Sequence, residues 1–291
     1  MSSRSAAPTV VVAMVGLWLC WGSSFPAIRV MVATLPPLLA SGAVFLTAGV
    51  VLAAIRPSVL RGLRRRQVVT AAGVGMCLLG AQGAVAVAER HMFASTAALL
   101  VAVVPLWVVV LRVAVGDRPT RAGVVRLLAG FAGVTVVLVT SSSGVGWSAW
   151  ALEVAAAAVS WAAGTLWASR SVALPGPRPA TVVQLVAGGL LLLLLGVVVG
   201  EPAQLTPASV SPSSWIALAD LVLVDSLTGF ALYNWLLRVA PVALVSTYAY
   251  AVPVVAYLVG VLVLGEPFRP AVMLGAAAIV VAVAAEVRAT S

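Results

Sequence analysis

Long apolar stretches, separated by short polar turns, run along the whole chain. A bilayer-spanning helix needs about 20 apolar residues. Ten stretches are long enough: residues 9–32, 36–55, 68–88, 92–115, 122–140, 147–169, 180–200, 214–237, 241–264 and 270–287. The separators are rich in Pro, Gly, Ser and Asp, which favour turns, and the stretches lack the alternating polarity of membrane β-strands. The pattern predicts an all-α integral membrane protein with ten transmembrane helices.

The composition agrees with a membrane protein and excludes an ordinary soluble domain. Of the 291 residues, 63% are hydrophobic and only 9% are charged. Soluble domains carry about 25% charged residues, so this chain has too few charges to cover a soluble surface. The net charge of +9 comes from 17 arginines against eight acidic residues. In a membrane protein such an excess indicates which ends of the helices face the cytoplasm. We therefore expect no nucleic-acid partner.

The arginines predict which ends of the helices face the cytoplasm. Five of them lie between residues 56 and 66, in the loop after the second stretch. If that loop is cytoplasmic, only Arg29, Arg90 and Arg269 of the 17 arginines fall outside, as the positive-inside rule favours. We therefore expect a multi-pass protein of a prokaryotic cytoplasmic (inner) membrane with both termini in the cytoplasm.

The two halves of the chain repeat each other. Val103-Val104-Pro105-Leu106 precedes Gly116-Asp117-Arg118-Pro119 at nearly the spacing at which Ala251-Val252-Pro253-Val254 precedes Gly265-Glu266-Pro267. Each half holds five stretches, an odd number, so the second half must enter the membrane in the opposite orientation. We expect two inverted five-helix repeats, residues 1–141 and 142–291. Such repeats are common in secondary transporters, with the substrate site near the midplane between the halves.

Several of these motifs, in this order, resemble the EamA-type family of the drug/metabolite transporter superfamily. They are residues 17–25 (LWLCWGSSF) with Arg29, residues 35–39 (LPPLL), residues 95–100 (STAALL) with Pro105, residues 116–120 (GDRPT), residues 233–235 (YNW), and Pro253 through Gly265-Glu266-Pro267 to Gly275. The resemblance implies ten helices around a central cavity and export of amino acids, related metabolites or drugs. The chain departs from the family at Val44, Arg126 and Asp225, which bears on the substrate rather than on the fold.

Polar and aromatic residues inside the stretches are the candidates for a substrate site. Asp225 lies midway along the eighth stretch, and ionisable groups at membrane depth are costly and tend to be functional. It is the candidate coupling group, with protons as the candidate ion; the alternative is a neutral, hydrogen-bonded acid within the bundle. Buried indole, hydroxyl and amide groups also need partners, although helix packing is the alternative for the aromatic residues. The substrate-binding candidates are Trp18, Trp21, Gln82, Trp107, Trp161, Asp225, Thr228, Tyr250 and Tyr257.

The remaining polar residues predict no enzyme. The only histidine, His91, has no metal-binding partners nearby in the sequence, and no glycine-rich phosphate loop occurs. We therefore expect no catalytic residue, no metal and no cofactor. Glu89 and Arg90 are expected to form a solvated pair in the loop that holds His91.

The expected function is secondary transport by alternating access, in the export direction, of a small amphipathic molecule such as an amino acid. No ATP-binding domain is predicted, so the driving force would be a gradient. The alternatives are an uptake transporter for a vitamin or nucleotide-like solute, and a membrane enzyme or scaffold that transports nothing. The expected partners are the lipid bilayer and the small-molecule substrate, with the protein itself a monomer or a weak homodimer.

Overall fold

The computed structural model describes residues 3–117 and 149–264, together with the isolated positions 121, 124, 125, 128 and 132. All regular structure in these residues is helical. The helices are α1 (Ser3–Met31), α2 (Pro37–Ile55), α3 (Arg65–Ala88), α4 (Ala94–Val101), α5 (Val104–Ala114), α6 (Ala149–Arg170), α7 (Pro177–Val198), α8 (Pro212–Asp220), α9 (Phe230–Val239), α10 (Val242–Ser246) and α11 (Tyr248–Leu264). A π-helical segment, Leu221–Gly229, joins α8 to α9.

Seven segments in the described residues are long and apolar enough to cross a membrane. They are Pro8–Met31, Pro37–Ile55, Arg65–Ala88, Ala149–Arg170, Pro177–Val198, Pro212–Val239 and Leu244–Val263. Large apolar side chains such as Val12, Ile216 and Leu262 are exposed on them, as a surface in contact with lipid requires. An all-helical membrane protein is therefore confirmed. The tenth predicted stretch and nearly all of the fifth lie outside the described residues, so the count of ten stays a prediction.

Two of the predicted stretches are broken helices. The fourth divides into α4 and α5, and Pro105, which lacks a backbone N–H, stands in the first turn of α5, where that donor is not needed. The ninth divides into α10 and α11 at Thr247, and Pro253 lies inside α11. Broken helices are tolerated at membrane depth where the freed backbone groups lie within protein.

The π-helical segment changes which side chains of the eighth stretch share a face. A π-helix bonds residue i to residue i+5, so its turns are wider than those of an α-helix. Asp225 is 3% exposed, whereas Thr228 is exposed and its Oγ1 donates to the carbonyl of Leu223 at 2.9 Å. The α-helical spacing that places Thr228 on the face of Asp225 therefore does not hold here.

Helices α2 and α7 touch through their backbones. A Cβ added to Gly189 of α7 would lie 2.6 Å from the backbone N of Leu46 and 3.0 Å from the carbonyl oxygen of Gly42, both on α2. A Cβ on Gly42 would in turn lie 2.8 Å from the backbone N of Leu193. Small residues allow such close approach, which is a main source of helix association in lipid.

Other helix contacts also join one half of the chain to the other. Helix α3 packs on α6, and α4 and α5 also contact α6. Correspondingly, α1 packs on α8, the π-helical segment and α9, and it contacts α11. If α1 corresponds to α6, and α3 corresponds to the α8–α9 span, then the contact between α3 and α6 is equivalent to the contact between the α8–α9 span and α1. This is the pattern expected of two inverted repeats, although the division at residues 141 and 142 stays a prediction.

The two ends of the bundle differ in charge. We call one the arginine-rich end; its described arginines are Arg56, Arg61, Arg64, Arg65, Arg66, Arg112, Arg121, Arg170, Arg178 and Arg238. At this end Asp117 contacts both Arg170 and Arg112. Their hydrogen bonds lower the pKa of the Asp117 carboxyl. The opposite end carries Arg29 and Arg90, so the arginines segregate as the loop pattern predicts.

A carboxylate at the opposite end caps α2 from a distant part of the chain. The first N–H groups of a helix have no partner within it, and Pro36 supplies no side-chain cap to α2. The buried Glu201 accepts the backbone N–H of Leu38 at 3.0 Å and that of Leu39 at 2.8 Å. Negative charge at a helix N-terminus is also favourable electrostatically. Glu201 thus ties the start of α2 to the end of α7.

This cap predicts a specific loss of stability. Glu201→Ala leaves two part-buried N–H groups at the start of α2 without their acceptor and should destabilise the protein by about 1–2 kcal/mol, measured as thermal unfolding in detergent. Glu201→Gln keeps one acceptor oxygen and should be affected less. Gln204→Ala, in the same 3-10 turn, is the matched control. Equal melting temperatures for the Glu201→Ala and Gln204→Ala variants would contradict the capping role.

Candidate functional site

A small cavity, surrounded mostly by buried side chains of the described residues, lies near the middle of the bundle, where helices of both halves meet. Its volume is about 30 Å³. A buried water needs roughly 10–15 Å³ by this measure, so the cavity holds one or two waters and no larger molecule. Its walls come from α1, α3, α4, α6, α9, α11 and the π-helical segment. The lining residues are Trp21, Ser24, Phe25, Gln82, Val101, Trp161, Asp225, Phe230, Tyr248, Ala249 and Val252.

Trp21 is the centre of an aromatic cluster on one side of this cavity. Its ring centroid lies 5.5 Å from Trp161 and 4.8 Å from Tyr248, in edge-to-face geometry, and 5.0 Å from Tyr233. Edge-to-face pairs are favourable beyond the area they bury. The indole N–H of Trp21 donates to the backbone carbonyl of Asp225 at 3.3 Å. The cluster therefore joins α1 to α6, α9, α11 and the π-helical segment.

Asp225 supplies the only carboxylate among the lining residues. Ser226 Oγ donates to its Oδ2 at 3.3 Å, and Ser24 also interacts with it. Asp220 on the same membrane span and Cys20 on α1 interact with it electrostatically. The described lining residues include no cationic side chain. The Asp225 carboxyl therefore has polar neighbours but no counter-ion among the lining residues.

The structure brings four of the nine sequence candidates to the cavity and leaves five elsewhere. Trp21, Gln82, Trp161 and Asp225 line it. Trp18 and Trp107 are half-buried and pack against the core, while Tyr250 and Tyr257 are buried outside the lining. Thr228 lies on the far side of its helix, in a groove described below.

Three aromatic residues of the lining, Phe25, Phe230 and Tyr248, were not among the sequence candidates. Phe230 and Tyr248 begin α9 and α11, so neither stands at the middle of an uninterrupted helix. Tyr233, which belongs to the motif at residues 233–235, is completely buried and its hydroxyl lies 2.6 Å from Thr165 Oγ1. The helix breaks near Phe230 and Tyr248 direct these side chains toward the cavity. Hydropathy alone does not reveal such breaks.

Layers of polar contacts close the cavity toward both ends. Toward the arginine-rich end, the Tyr233–Thr165 hydrogen bond joins α9 to α6, and Asn234 donates to Gln184 Oε1 on α7 at 2.8 Å. Toward the opposite end, Ser214 Oγ of α8 accepts from Thr34 at 2.8 Å and donates to the carbonyl of Val30 at 2.8 Å. The first layer joins helices within the second half of the chain, whereas the second layer joins α8 to α1 of the first half.

The Glu89–Arg90 pair predicted from the sequence is wrong. Glu89 is completely buried, and neither carboxylate oxygen has a hydrogen-bond partner among the described residues. Burial raises the pKa of Glu89 well above its usual value, and Arg29, which donates to its backbone carbonyl, opposes this only in part. Arg90 instead bonds Gln204, and His91 stacks on Trp150 with 3.8 Å between ring centroids. The end of α3 packs inward, which charge pattern alone does not show.

Comparison with known proteins assigns the family. The EamA-like transporter family model matches residues 8–139 and, separately, residues 148–286. The chain belongs to the EamA-like transporter family. The resemblance found in the sequence is thereby confirmed, and this EamA-family protein is a membrane transporter.

Individual relatives agree with this assignment. The chain is 32% identical over 277 residues to the "Uncharacterized inner membrane transporter YedA" of Escherichia coli K12, covering 93% of this chain and 88% of the relative. Proteins of the same name from the O6:H1 and O157:H7 strains match equally. A solved structure described as "Crystal structure of protein" has a TM-score of 0.77 at 24% identity, covering 99% of this chain and 98% of that one. This last likeness shows a shared fold.

The packing of Trp21 against Gly229 gives a direct test of the aromatic cluster. A Cβ on Gly229 would lie 2.5 Å from Trp21 Nε1, so the indole would have to shift against the rings that pack on it. Gly229→Ala should therefore destabilise the protein by about 1–3 kcal/mol and shift its tryptophan fluorescence.

Gly80→Ala is the matched control for this test. A Cβ at Gly80 of α3 meets only Leu191 Cδ2, at 3.7 Å, so this change should be neutral or stabilising by up to about 1 kcal/mol. If both variants melt and fluoresce alike, Trp21 is not held as described.

Proposed function

We propose that this EamA-family protein is a secondary transporter that exports small amphipathic metabolites, amino acids or related compounds, by alternating access. The observation that carries the proposal is the central cavity, which combines aromatic rings with one buried carboxylate. It lies between the two halves of the bundle, where transporters built from inverted repeats place their substrate.

The lining favours a substrate with an amino group and an apolar part. Trp21, Trp161 and Tyr248 offer ring faces and edges to an apolar group, and aromatic faces also attract cations. Asp225 offers a carboxylate that an ammonium group can pair with. Gln82, across the cavity, adds an amide that both donates and accepts hydrogen bonds.

Alternating access would open one polar layer at a time. With both layers closed, the cavity holds only about 30 Å³, too little for a metabolite, so a substrate must enter through an open layer. The broken helices α4–α5 and α10–α11 and the π-helical segment all border the cavity, and their irregular hydrogen bonding makes them the natural places to bend. Opening the Tyr233–Thr165 layer would expose Asp225 to the arginine-rich end.

We further propose the topology that the sequence predicts. It has ten spans, two inverted repeats at residues 1–141 and 142–291, and both termini in the cytoplasm of a prokaryotic inner membrane. The separate family matches to each half support the repeat, as do the equivalent contacts between the halves. The clustering of arginines at one end supports a cytoplasmic location for that end.

Asp225 is the proposed coupling group. In the closed cavity its negative charge is poorly solvated, which disfavours the ionised form, whereas water in an open cavity would stabilise it. Its protonation would therefore differ between the states, and a proton gradient can bias the states through that difference. An ammonium substrate would compete with the proton for the same carboxylate.

The experiment is transport by the purified protein in proteoliposomes, with and without a pH gradient, over a panel of radiolabelled amino acids and amphipathic amines. We expect a pH gradient to accelerate transport of at least one cationic substrate. Asp225→Asn keeps the size of the side chain but removes its titration, so it should abolish that acceleration.

Glu153→Gln is the control, because it removes a half-buried carboxylate of α6 that does not line the cavity. It should keep the response of the unmodified protein. An Asp225→Asn variant with the full pH response would exclude Asp225 as the coupling group, and absence of flux for the whole panel would count against this substrate class.

A further inference from the structure

A second, much larger concavity lies on the outer surface of the bundle at the arginine-rich end. It has a volume of about 780 Å³ and lies between the end of α2, the start of α7 and α9. We call it the α2–α7–α9 groove. Helix α9 separates it from the central cavity, because Ala231, Leu232 and Trp235 face the groove while Phe230 and Tyr233 on the same helix are buried in the bundle.

The groove exists because two equivalent helix contacts between the halves are not equally close. Helix α3 packs closely along α7, and a Cβ on Gly75 would lie 2.5 Å from the Cα of Gln184. When the two halves are exchanged, the equivalent contact is the one between α2 and the α8–α9 span. There α2 packs against the π-helical segment, but the α9 residues beyond it stand apart from Leu52 and Ile55 across the groove.

Apolar side chains line the depth of the groove, and two arginines stand at its mouth. Leu52, Ile55, Val182, Leu232 and Trp235 form the apolar walls. Arg56 directly follows the last residue of α2, and Arg178 lies in the first turn of α7. Both are exposed. Among the described residues, neither arginine has an ion-pair partner and no carboxylate lines the groove.

We propose that this groove binds an anionic phospholipid, with an acyl chain between α2 and α9 and the phosphate on Arg56 and Arg178. The helix ends place the arginines at the level of the lipid headgroups, and the apolar walls continue from there toward the membrane core. Basic pockets between transmembrane helices are suited to anionic headgroups. The apolar walls offer little to a free metabolite but suit a hydrocarbon chain.

Charge complementarity selects an anionic lipid over a zwitterionic one. The two unpaired guanidinium groups can each bond the phosphate oxygens, whereas the neighbouring arginines from Arg61 to Arg66 do not line the groove. In a zwitterionic lipid, the cationic part of the headgroup would face the same arginines. Each of the two lining arginines should improve the affinity for an anionic lipid about fivefold.

The test uses the purified full-length protein in detergent, titrated with phosphatidylglycerol, with phosphatidylcholine, or with inorganic phosphate alone. Lipid retention is followed by native mass spectrometry and binding by thermal stabilisation, since a ligand of the folded state raises the melting temperature. We expect selective retention of phosphatidylglycerol. The Arg56→Gln/Arg178→Gln double variant should bind it at least tenfold more weakly, whereas Arg61→Gln, at an exposed loop position, should bind normally.

A second variant tests the binding of the acyl chain separately from the binding of the phosphate by the arginines. Ala231→Trp fills the groove at an exposed position of α9 without removing either arginine, and it should also abolish retention. Equal binding of phosphatidylcholine and phosphatidylglycerol would overturn the proposal. So would unchanged binding in the double variant, normal retention by Ala231→Trp, or stabilisation by inorganic phosphate that matches the lipid.

Discussion

The backbone contact between α2 and α7 is the constraint on which the rest of the structure depends. Lipid tails are as apolar as the helices, so helices associate in a membrane through close packing and hydrogen bonds rather than through hydrophobic burial. Gly42 and Gly189 allow the two backbones to approach to a distance that any side chain would prevent. Because this contact joins one half of the chain to the other, α3 also packs on α6, and α1 packs on the α8–α9 span.

The central cavity follows from these contacts between the two halves. Helix α1 is held against the α8–α9 span, and α6 is held against α3, so Trp21 and Trp161 meet at 5.5 Å. Neither half contains this site alone. A buried carboxylate next to these rings is costly in a membrane, and the hydrogen bond from Ser226 offsets part of that cost.

Hydropathy predicted the all-helical membrane fold well, because the length of an apolar stretch reflects the thickness of the bilayer. The helices of the described stretches lie where apolar runs of sufficient length predict them. The site was predicted only in part. Trp21, Gln82, Trp161 and Asp225 could be found because they are polar or aromatic at mid-membrane, where either property is unusual.

What the sequence did not predict depends on local departures from α-helical geometry and on contacts between distant segments. Thr228, a substrate-binding candidate, faces away from the cavity because the segment around it is π-helical. Tyr248 was missed because a helix break, rather than the periodicity, aims it at the cavity. The burial of Glu89 and the capping of α2 by Glu201 depend on chain segments far away in sequence, and a single sequence carries no pattern for either.

The most direct measurement of the central claim is the accessibility of the cavity from each side of the membrane. Ser24 lines the cavity and is 2% exposed, so a cysteine there is hidden while both polar layers are closed. The account predicts that Ser24→Cys reacts with an impermeant thiol reagent in right-side-out vesicles and also in inside-out vesicles. Ser41→Cys, equally buried on α2 but not in the lining, should react in neither. Labelling of Ser24→Cys from one side only, or from neither, would contradict an alternating-access site at this cavity.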